Sequence, residues 1–404
     1  MRGFEEVSIY AFLVFILASY FIRFKLKKSG TIAFLLINLT FVLYIMCELH
    51  ISNRTGLKYL LFYLFIFYIQ YYLLSTFIFK KNYIAFIPIL FPIFILFCAK
   101  FFPLTGYLKF FVLIGISYIS FKATHLTILV RNKIIALPNL TEFYCYVLYA
   151  PTLFIGPINS AKDFFETLLQ PPSRKNFPIF ISLNRILVGL TKYFYFSAII
   201  NQLTFSGLWS DGYDHTWLDF FVSSVAFYLK LYMNFSGFCD IVIGISGLLC
   251  IKINENFDNP LLSRNIKDFW NRWHITLSHF MRDLVFNPMV KFLLGLQFIK
   301  QTYLNSIAAF TTIIIFLLIG LWHGLEWNYL IFGLLHGLGV VFIQYYNIFL
   351  TFILSKKIYQ FYTKNSFVKI ISTIITFCYI SFTFFIFEND LASILDISAY
   401  LIEK

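Results

Sequence analysis

An all-α polytopic membrane protein is the fold class that this sequence predicts, and three observations support it. Of the 404 residues, 60% are hydrophobic and only 13% are charged, whereas soluble domains average about 25% charged residues. The mean hydropathy is +0.78. The apolar residues also occur in runs of roughly 20, the length that a helix needs to cross about 30 Å of hydrocarbon. This composition excludes a water-soluble globular protein.

The chain contains about eleven such runs. They lie near residues 7–22, 31–49, 57–79, 83–102, 107–130, 177–203, 217–233, 236–251, 303–320, 327–350 and 367–387. A further apolar stretch, 142–158, is interrupted by Pro151, Gly156 and Pro157, which predicts a kinked or re-entrant element covered by protein. We expect one integral membrane domain, 1–404, with N-terminal helices in 1–140, a core in 141–340 and C-terminal helices in 341–404.

The formal net charge of +13 is informative mainly about orientation, since cytoplasmic loops are enriched in Lys and Arg. The pairs Lys80-Lys81 and Lys356-Lys357 are predicted to be cytoplasmic, and Glu388 is predicted to be on the outer face. The leading segment MRGFEE is not positive and precedes the cations RFKLKK, which predicts an uncleaved first helix with its N-terminus outside. Both termini are expected to be extracytoplasmic. Orientation and anionic lipid account for much of the charge, so no nucleic-acid partner is implied.

The most polar long insert, 252–300, is where we look for chemistry. Apolar residues in 263–286 recur at helical spacing, and Asn265 followed by Asp268 predicts the helix start. His274 lies at the edge of the apolar stripe and His279 on the solvated face. Histidines five residues apart do not share one helix face, which excludes the simplest two-histidine metal site. An interfacial helix with its cations on lipid headgroups is the alternative interpretation.

Two more histidines lie in or beside apolar runs, His323 in IGLWHGLEW and His336 in FGLLHGLG. An ionisable group at membrane depth normally faces a cavity or a partner, although a neutral histidine bonded within a helix interface fits each position too. Gly320 and Gly324 allow close approach to His323, and an imidazole can accept a hydroxyl proton near neutral pH. The role of His336 stays open. The sequence carries no P-loop, nucleophile elbow, HExxH or zinc spacing, so neither a metal nor a resident cofactor is predicted.

Four segments together resemble the membrane-bound O-acyltransferase family over roughly residues 150–340. They are PTLFIGPINSAKDF (151–164), NFSGFCDIVIGISGLL (234–249), NIKDFWNRWHITLSHFMRD (265–283) and GLWHGLEWNYLIFGLLHGLG (320–339). The first 140 residues match only in hydropathy. The resemblance implies a helical ring around a central tunnel, with 141–340 as the acyltransferase core. His323 matches the catalytic histidine of the family's WHG segment, and His274 matches the second histidine of its RWH segment.

The resemblance divides between two branches of that family. DFWNRWH and the short chain look like the teichoic-acid D-alanyltransferase branch, whereas GLWHGLEWNYLIFGLLHG and NFSGFCDIVIG look closer to the alginate O-acetyltransferase branch. The glycine-rich stretch of the second branch is replaced here by FNPMVKFLLG (286–295). The first likeness implies transfer of D-alanyl from a phosphopantetheine thioester, or from acyl-CoA, to a hydroxyl of an envelope polymer such as teichoic acid in the bacterial plasma membrane. O-acetylation of an exopolysaccharide is the alternative.

These implications give each candidate residue a role. His323 is the expected general base, and His274 is expected to orient the acceptor, bond the oxyanion or tune His323. Substrate-binding candidates are Asn234, Trp322 and Trp273, and candidates for docking an acidic acyl carrier protein on the cytoplasmic side are Arg264, Lys267 and Arg272. A small membrane partner subunit is also expected. Rival interpretations are a proton-coupled transporter or flippase lined by His274, His323 and His336, and a scaffold that only recruits the carrier.

Overall fold

A computed structural model of the chain describes residues 9–25, 30–49, 53–101, 115–153, 155–170, 178–209, 215–296 and 301–403. Within these ranges the protein is built from helices, and the only β-type pairing is an isolated antiparallel bridge between Phe257 and Trp273. The predicted all-α class is confirmed for this part of the chain.

Nineteen helices are described. The first eight are α1 (Ile9–Lys25), α2 (Gly30–Leu49), α3 (Asn53–Phe77), α4 (Ile87–Phe101), α5 (Ile116–Arg131), α6 (Leu140–Val147), α7 (Ala161–Leu169) and α8 (Ile179–Leu190). The next six are α9 (Ser197–Asn201), α10 (Phe205–Leu208), α11 (Trp217–Leu248), α12 (Ile266–Arg272), α13 (Ile275–Met281) and α14 (Asn287–Leu294). The last five are α15 (Leu304–His323), α16 (Trp327–Ile353), α17 (Lys356–Lys364), α18 (Ser366–Glu388) and α19 (Leu391–Glu403). Two π-helical turns, Thr191–Phe196 and Arg282–Phe286, follow α8 and α13.

The chain forms two compact units. The first comprises Met1–Gly189 and Phe238–Asn254, and the second comprises Leu190–Gly237 and Glu255–Lys404. Helix α11 contributes its first part to the second unit and its end to the first. His274, His323 and the other predicted site residues all lie in the second unit.

Seven described helical stretches are long and apolar enough to cross a membrane: Gly30–Cys47, Gly56–Phe77, Tyr83–Lys100, Trp217–Leu248, Leu304–His323, Trp327–Ile353 and Ser366–Glu388. Each overlaps a run predicted from hydropathy, so a multi-pass membrane protein is confirmed. The count of about eleven spans and the central tunnel stay predictions. Residues 1–8, which carry the N-terminal charge pattern, and 107–114, which begin a predicted span, lie outside the described residues.

The two spans predicted at 217–233 and 236–251 are wrong as separate elements, because α11 runs without interruption from Trp217 to Leu248. Asn234, Ser236 and Asp240, the polar residues between and after the two predicted boundaries, all lie on this one helix. The Asp240 carboxylate accepts a hydrogen bond from Arg185 Nε at 3.0 Å, so its charge is paired. The segment contains no proline, the residue that would remove a backbone hydrogen bond, so the helix continues.

The interrupted element predicted at 142–158 is confirmed in its described residues. Helix α6 begins with a capping box in which Asn139 and Glu142 each bond the other's backbone N–H. A 3-10 turn at Ala150–Thr152 follows, and Gly156 has φ +127°, a conformation that side-chain-bearing residues rarely adopt. Pro151 and Gly156 therefore end the helical path where the sequence places them.

The prediction of a single amphipathic helix over 263–286 is wrong in one respect, because this segment forms two helices, α12 and α13, with a break in the helix between them. Asn265 caps α12 as predicted, its side chain accepting from Asp268 N–H at 2.8 Å. At this break, the backbone of the segment 256–258 forms hydrogen bonds with the backbone of 272–275. Ile275 N–H donates to Asn256 O at 3.0 Å, and Asp258 N–H donates to Arg272 O at 2.9 Å. His274 takes a left-handed conformation with φ 44°, which turns it out of the helical register.

Helices α15 and α16 form a close hairpin around glycines. A Cβ added at Gly333 would collide with the carbonyl oxygen of Phe316, and one at Gly320 would collide with that of Tyr329. Both obstacles are backbone atoms, so relief requires the two helices to separate. This approach fixes the loop that follows His323.

We expect Gly333→Val to destabilise the protein by about 1–3 kcal/mol, the usual cost of overpacking a tight contact. Thermal unfolding of the purified protein in detergent measures the effect as a lower midpoint. Leu334→Val is the matched control, because Leu334 is on the exposed side of the same helix and such positions usually change stability by less than about 0.5 kcal/mol. Equal midpoints for both variants would contradict the close approach of α15 and α16.

Candidate active site

The two histidines singled out by the sequence lie close enough to interact. His323 is the last residue of α15, and His274 lies at the break between α12 and α13. Burial lowers the pKa of His274, and the charge of the nearby His323 lowers it further. Elements about fifty residues apart in sequence therefore converge on one site.

His323 is presented by the end of its helix. Its side chain is exposed, and its ring lies 4.5 Å from the Trp322 ring and 4.7 Å edge-on from the Phe387 ring, between centroids. Gly324 follows in extended conformation, and a Cβ there would collide with the Glu326 carboxylate and the Tyr329 ring. The helix thus stops directly after the imidazole, which leaves the ring accessible to a reactant.

Asn256 holds the other imidazole in one tautomer. The backbone N–H of Thr276 donates to Asn256 Oδ1 at 3.2 Å, and the Thr276 hydroxyl donates to the same oxygen at 2.8 Å. These donors identify that atom as the amide oxygen, an acceptor only. His274 Nδ1 lies 3.1 Å from it, so Nδ1 carries the proton and donates. His274 Nε2 is consequently an unprotonated acceptor.

His274 Nε2 is buried and makes no hydrogen bond to any described residue. His274 is only 5% exposed, and the Phe235 ring packs edge-on against its imidazole with centroids 4.9 Å apart. Burial lowers the pKa of His274 to about 3, with a further contribution from His323. The residue is therefore neutral at physiological pH and offers a lone pair to a hydroxyl or to an N–H group.

This environment predicts a specific pH dependence of stability. An unfolded histidine has a pKa near 6.5, above the folded value of about 3, so between these values the unfolded chain binds a proton that the folded chain does not. Stability contributed by neutral His274 is thus present above pH 6.5 and falls as the pH drops towards 3, by at most about 1.4 kcal/mol per pH unit.

We expect the wild-type unfolding midpoint to fall more steeply than that of His274→Gln between pH 7 and pH 5. Because both proteins share every other titrating group, the difference between the two profiles isolates His274. Thermal unfolding in detergent across this range measures it, and parallel profiles would contradict the neutral buried imidazole.

The three predicted substrate-binding residues have different surroundings. Trp322 lies against His323, as described above. Asn234, on α11, precedes the Phe235 ring that packs on His274, and its Oδ1 is buried with no hydrogen-bond partner among the described residues. Trp273 is enclosed by aromatic rings, with Phe257, Phe269 and Phe384 at centroid distances of 5.0, 5.4 and 5.2 Å. Trp273 thus supports the segment that carries His274.

The three residues predicted to dock the carrier protein also differ in their surroundings. Arg264 and Lys267 are exposed. Arg272 is half-buried and donates to Asp268 Oδ1 at 2.8 Å, with Asp258 Oδ2 at 3.8 Å. The hydrogen bond to Asp268 raises the pKa of Arg272. Its charge is largely balanced within the protein, so Arg264 and Lys267 are the two that present positive charge to solvent. His279 is also exposed, as the sequence predicted.

His336 is a buried residue whose ring forms two hydrogen bonds within the protein. Its Nδ1 accepts a hydrogen bond from Trp270 Nε1–H at 3.0 Å. The Thr383 hydroxyl donates to Ile380 O and therefore accepts from His336 Nε2–H, at 2.9 Å. Both ring nitrogens are thus used, and the ring is fully buried. His336 ties α12 to α16 and α18 and supports the His274 segment.

Sequence reasoning did not identify Asn256 as a residue of this site. Asn256 stands in the polar segment NENFDN, and no motif or spacing distinguishes it, since its contacts with 274–276 depend on the chain folding back. Asn328 and Glu388 were likewise not assigned a binding role. Among the described residues, no group of three or more His, Cys, Asp or Glu is arranged to bind a metal ion.

Comparisons with known proteins match most of the chain. The sequence profile of the membrane-bound O-acyltransferase family matches residues 58–386. The chain is 30% identical to the teichoic acid D-alanyltransferase of Bacillus subtilis (strain 168), covering 68% of each chain. It is 27% identical to the protein of the same name from Streptococcus thermophilus, over 82% of this chain and 81% of that one. A probable alginate O-acetylase AlgI from Azotobacter vinelandii is 30% identical over 55% of this chain and 43% of its own length.

Proposed function

Since the chain belongs to the membrane-bound O-acyltransferase family and is a multi-pass O-acyltransferase, we propose that it transfers a D-alanyl group from a carrier-protein thioester to a hydroxyl of an envelope polymer such as teichoic acid. The likeness to two teichoic acid D-alanyltransferases over most of their length supports the acyl group and the polymer. The bacterial plasma membrane, with the acceptor on the outer side, is the corresponding location.

The observation that carries the reaction type is the paired arrangement of an exposed imidazole, His323, and a buried neutral imidazole, His274, with a lone pair at Nε2. Two neighbouring bases suit the deprotonation and orientation of an alcohol. A thioester is already activated, so the protein has to bring the hydroxyl near the carbonyl carbon and remove its proton.

In the proposed step, the acceptor oxygen attacks the thioester carbonyl while His323 takes the hydroxyl proton. The tetrahedral intermediate then collapses, the C–S bond breaks, and the thiolate of the phosphopantetheine arm recovers the proton from His323. The products are the ester and the free thiol. A neutral ring that is bonded through Nδ1–H has no second N–H, so His274 does not donate a hydrogen bond to the oxyanion. Of the roles expected from the sequence, orienting the acceptor and tuning His323 are left. We propose that His274 orients the acceptor hydroxyl or an N–H of His323.

The donor's carrier is proposed to dock at the exposed cations Arg264 and Lys267, since acyl carrier proteins are acidic and complementary charge accelerates association. A small membrane partner remains part of the proposal without assigned residues. The alternative acyl group is acetyl, which the likeness to a probable alginate O-acetylase favours.

Reconstitution into proteoliposomes tests the acyl group directly. Purified carrier loaded with radiolabelled D-alanine or with radiolabelled acetate is added outside vesicles that enclose lipoteichoic acid as the acceptor, and ester-linked label is counted after hydroxylamine release. We expect D-alanyl transfer to exceed acetyl transfer. Acetyl transfer alone would replace D-alanine by acetate in the proposal, and carrier-independent movement of protons or lipid without ester formation would favour a transporter.

A further inference from the structure

The carboxylate of Glu388, at the end of α18, is incompletely bonded although it is largely covered. Its side chain is 18% exposed, and Lys230 Nζ lies 3.8 Å from Oε1. The second oxygen, Oε2, is buried and has no hydrogen-bond partner among the described residues. Lys230 also lies 5.6 Å from the Phe227 ring centroid, so the cation is shared between two neighbours. One carboxylate oxygen is therefore left for a donor that these residues do not supply.

Asn328 provides a second unused acceptor nearby. This residue is 6% exposed, and its Nδ2 donates to Phe387 O at 3.0 Å. The amide nitrogen is thereby oriented towards α18, and the amide oxygen, Oδ1, is buried without a partner in the described part of the chain. Asn328 bonds the residue that precedes Glu388, so both residues lie at the same end of α18. Leaving two buried acceptors unbonded is costly.

This region adjoins the proposed general base. The ring of Phe387 packs edge-on against the His323 imidazole at 4.7 Å between centroids, and Glu388 is the next residue. Asn328 lies in the first turn of α16, five residues after His323. Phe387 thus connects both residues to the imidazole of His323, its ring by packing and its carbonyl by accepting from Asn328.

An α-ammonium group matches these features. It carries three N–H donors and a positive charge, whereas an acetyl group has neither. We propose that Glu388 and Asn328 form a subsite that binds the α-ammonium group of an aminoacyl donor and selects it over uncharged acyl groups. The inference rests on the proposed function and extends it, because it names the residues that distinguish an aminoacyl from an acetyl substrate.

The test compares D-alanyl and D-lactyl thioesters of the same phosphopantetheine carrier, which differ only in an ammonium against a hydroxyl. In Glu388→Gln, we expect kcat/KM for D-alanyl transfer to fall about 10- to 100-fold, the range for losing a hydrogen bond to a charged group. The D-lactyl value should change less than about threefold, since the fall comes from the charged bond alone. A parallel fall for both substrates would assign Glu388 a structural role, and D-alanyl transfer at the wild-type rate would remove the subsite; both outcomes overturn the inference.

Two further measurements complete the design. Glu326→Gln is the matched control, because this carboxylate is exposed on the loop after His323, and an equal loss of selectivity there would overturn the inference by showing a general charge effect. For the wild-type protein, D-alanyl-pantetheine should raise the unfolding midpoint more than D-lactyl-pantetheine does, which requires no variant to fold. Wild-type protein that transfers only uncharged acyl groups overturns both proposals, whereas D-alanyl transfer insensitive to Glu388 overturns this one alone.

Discussion

His323→Ala is expected to reduce acyl transfer by about 10²- to 10⁴-fold, the contribution typical of a positioned general base. The hydroxyl of a polymer is a weak nucleophile until its proton is removed, and His323 is the exposed imidazole at the site. Initial rates with D-alanyl carrier and lipoteichoic acid measure the loss.

The control for this variant is His279→Ala, which removes another exposed histidine of the same unit. We expect it to retain transfer, and both variants to express and to unfold at the wild-type temperature, since neither ring is part of the buried core. A His323→Ala protein with near-wild-type rates would remove the central role proposed for this residue. A variant that is inactive in transfer and yet complements a deletion strain would favour the scaffold interpretation.

Sequence reasoning located the two histidines because His323 is an ionisable group beside an apolar run and His274 lies at the edge of the apolar stripe of an amphipathic segment. It could not determine their environments. The break that buries His274 depends on residues 256–258 folding back on 272–275, a contact that helical periodicity does not encode. The same limitation explains the error in α11, which was predicted as two spans. The partner of its polar residue Asp240 is Arg185, which lies 55 positions earlier in the chain. Local pattern predicts elements well, and partners distant in sequence decide whether a polar residue breaks them.

His336 illustrates the opposite case. From the sequence, it could be a proton-path residue or a bonded core histidine, and both interpretations predict a buried ring. Its bonds to Trp270 and Thr383 support the second, since both nitrogens are already used. The sequence left the role of His336 open, whereas hydrogen-bond geometry separates His336, whose ring is fully bonded, from His274, whose Nε2 is not.

The second large effect is expected at Asn256, which we propose as a positioning residue for His274. In Asn256→Leu, the acceptor for Nδ1–H is lost, the ring is free to change tautomer or rotate, and we expect transfer to fall about 100-fold, as for misplaced catalytic groups. His274→Gln should show a loss of similar size. Rates at saturating and limiting donor separate kcat from KM, and the loss should appear mainly in kcat.

Asn256→Asp distinguishes positioning from a merely structural role. A carboxylate at this site still accepts from Nδ1–H and from Thr276, so we expect transfer within about tenfold of wild type, because a similar hydrogen bond is kept. Its negative charge also stabilises the imidazolium, which should raise the pKa of His274 from its low value and move the acid limb of the pH–rate profile to higher pH. An active Asn256→Leu protein, or an Asn256→Asp protein with an unshifted profile, would show that the bond between Asn256 and His274 does not control the reaction.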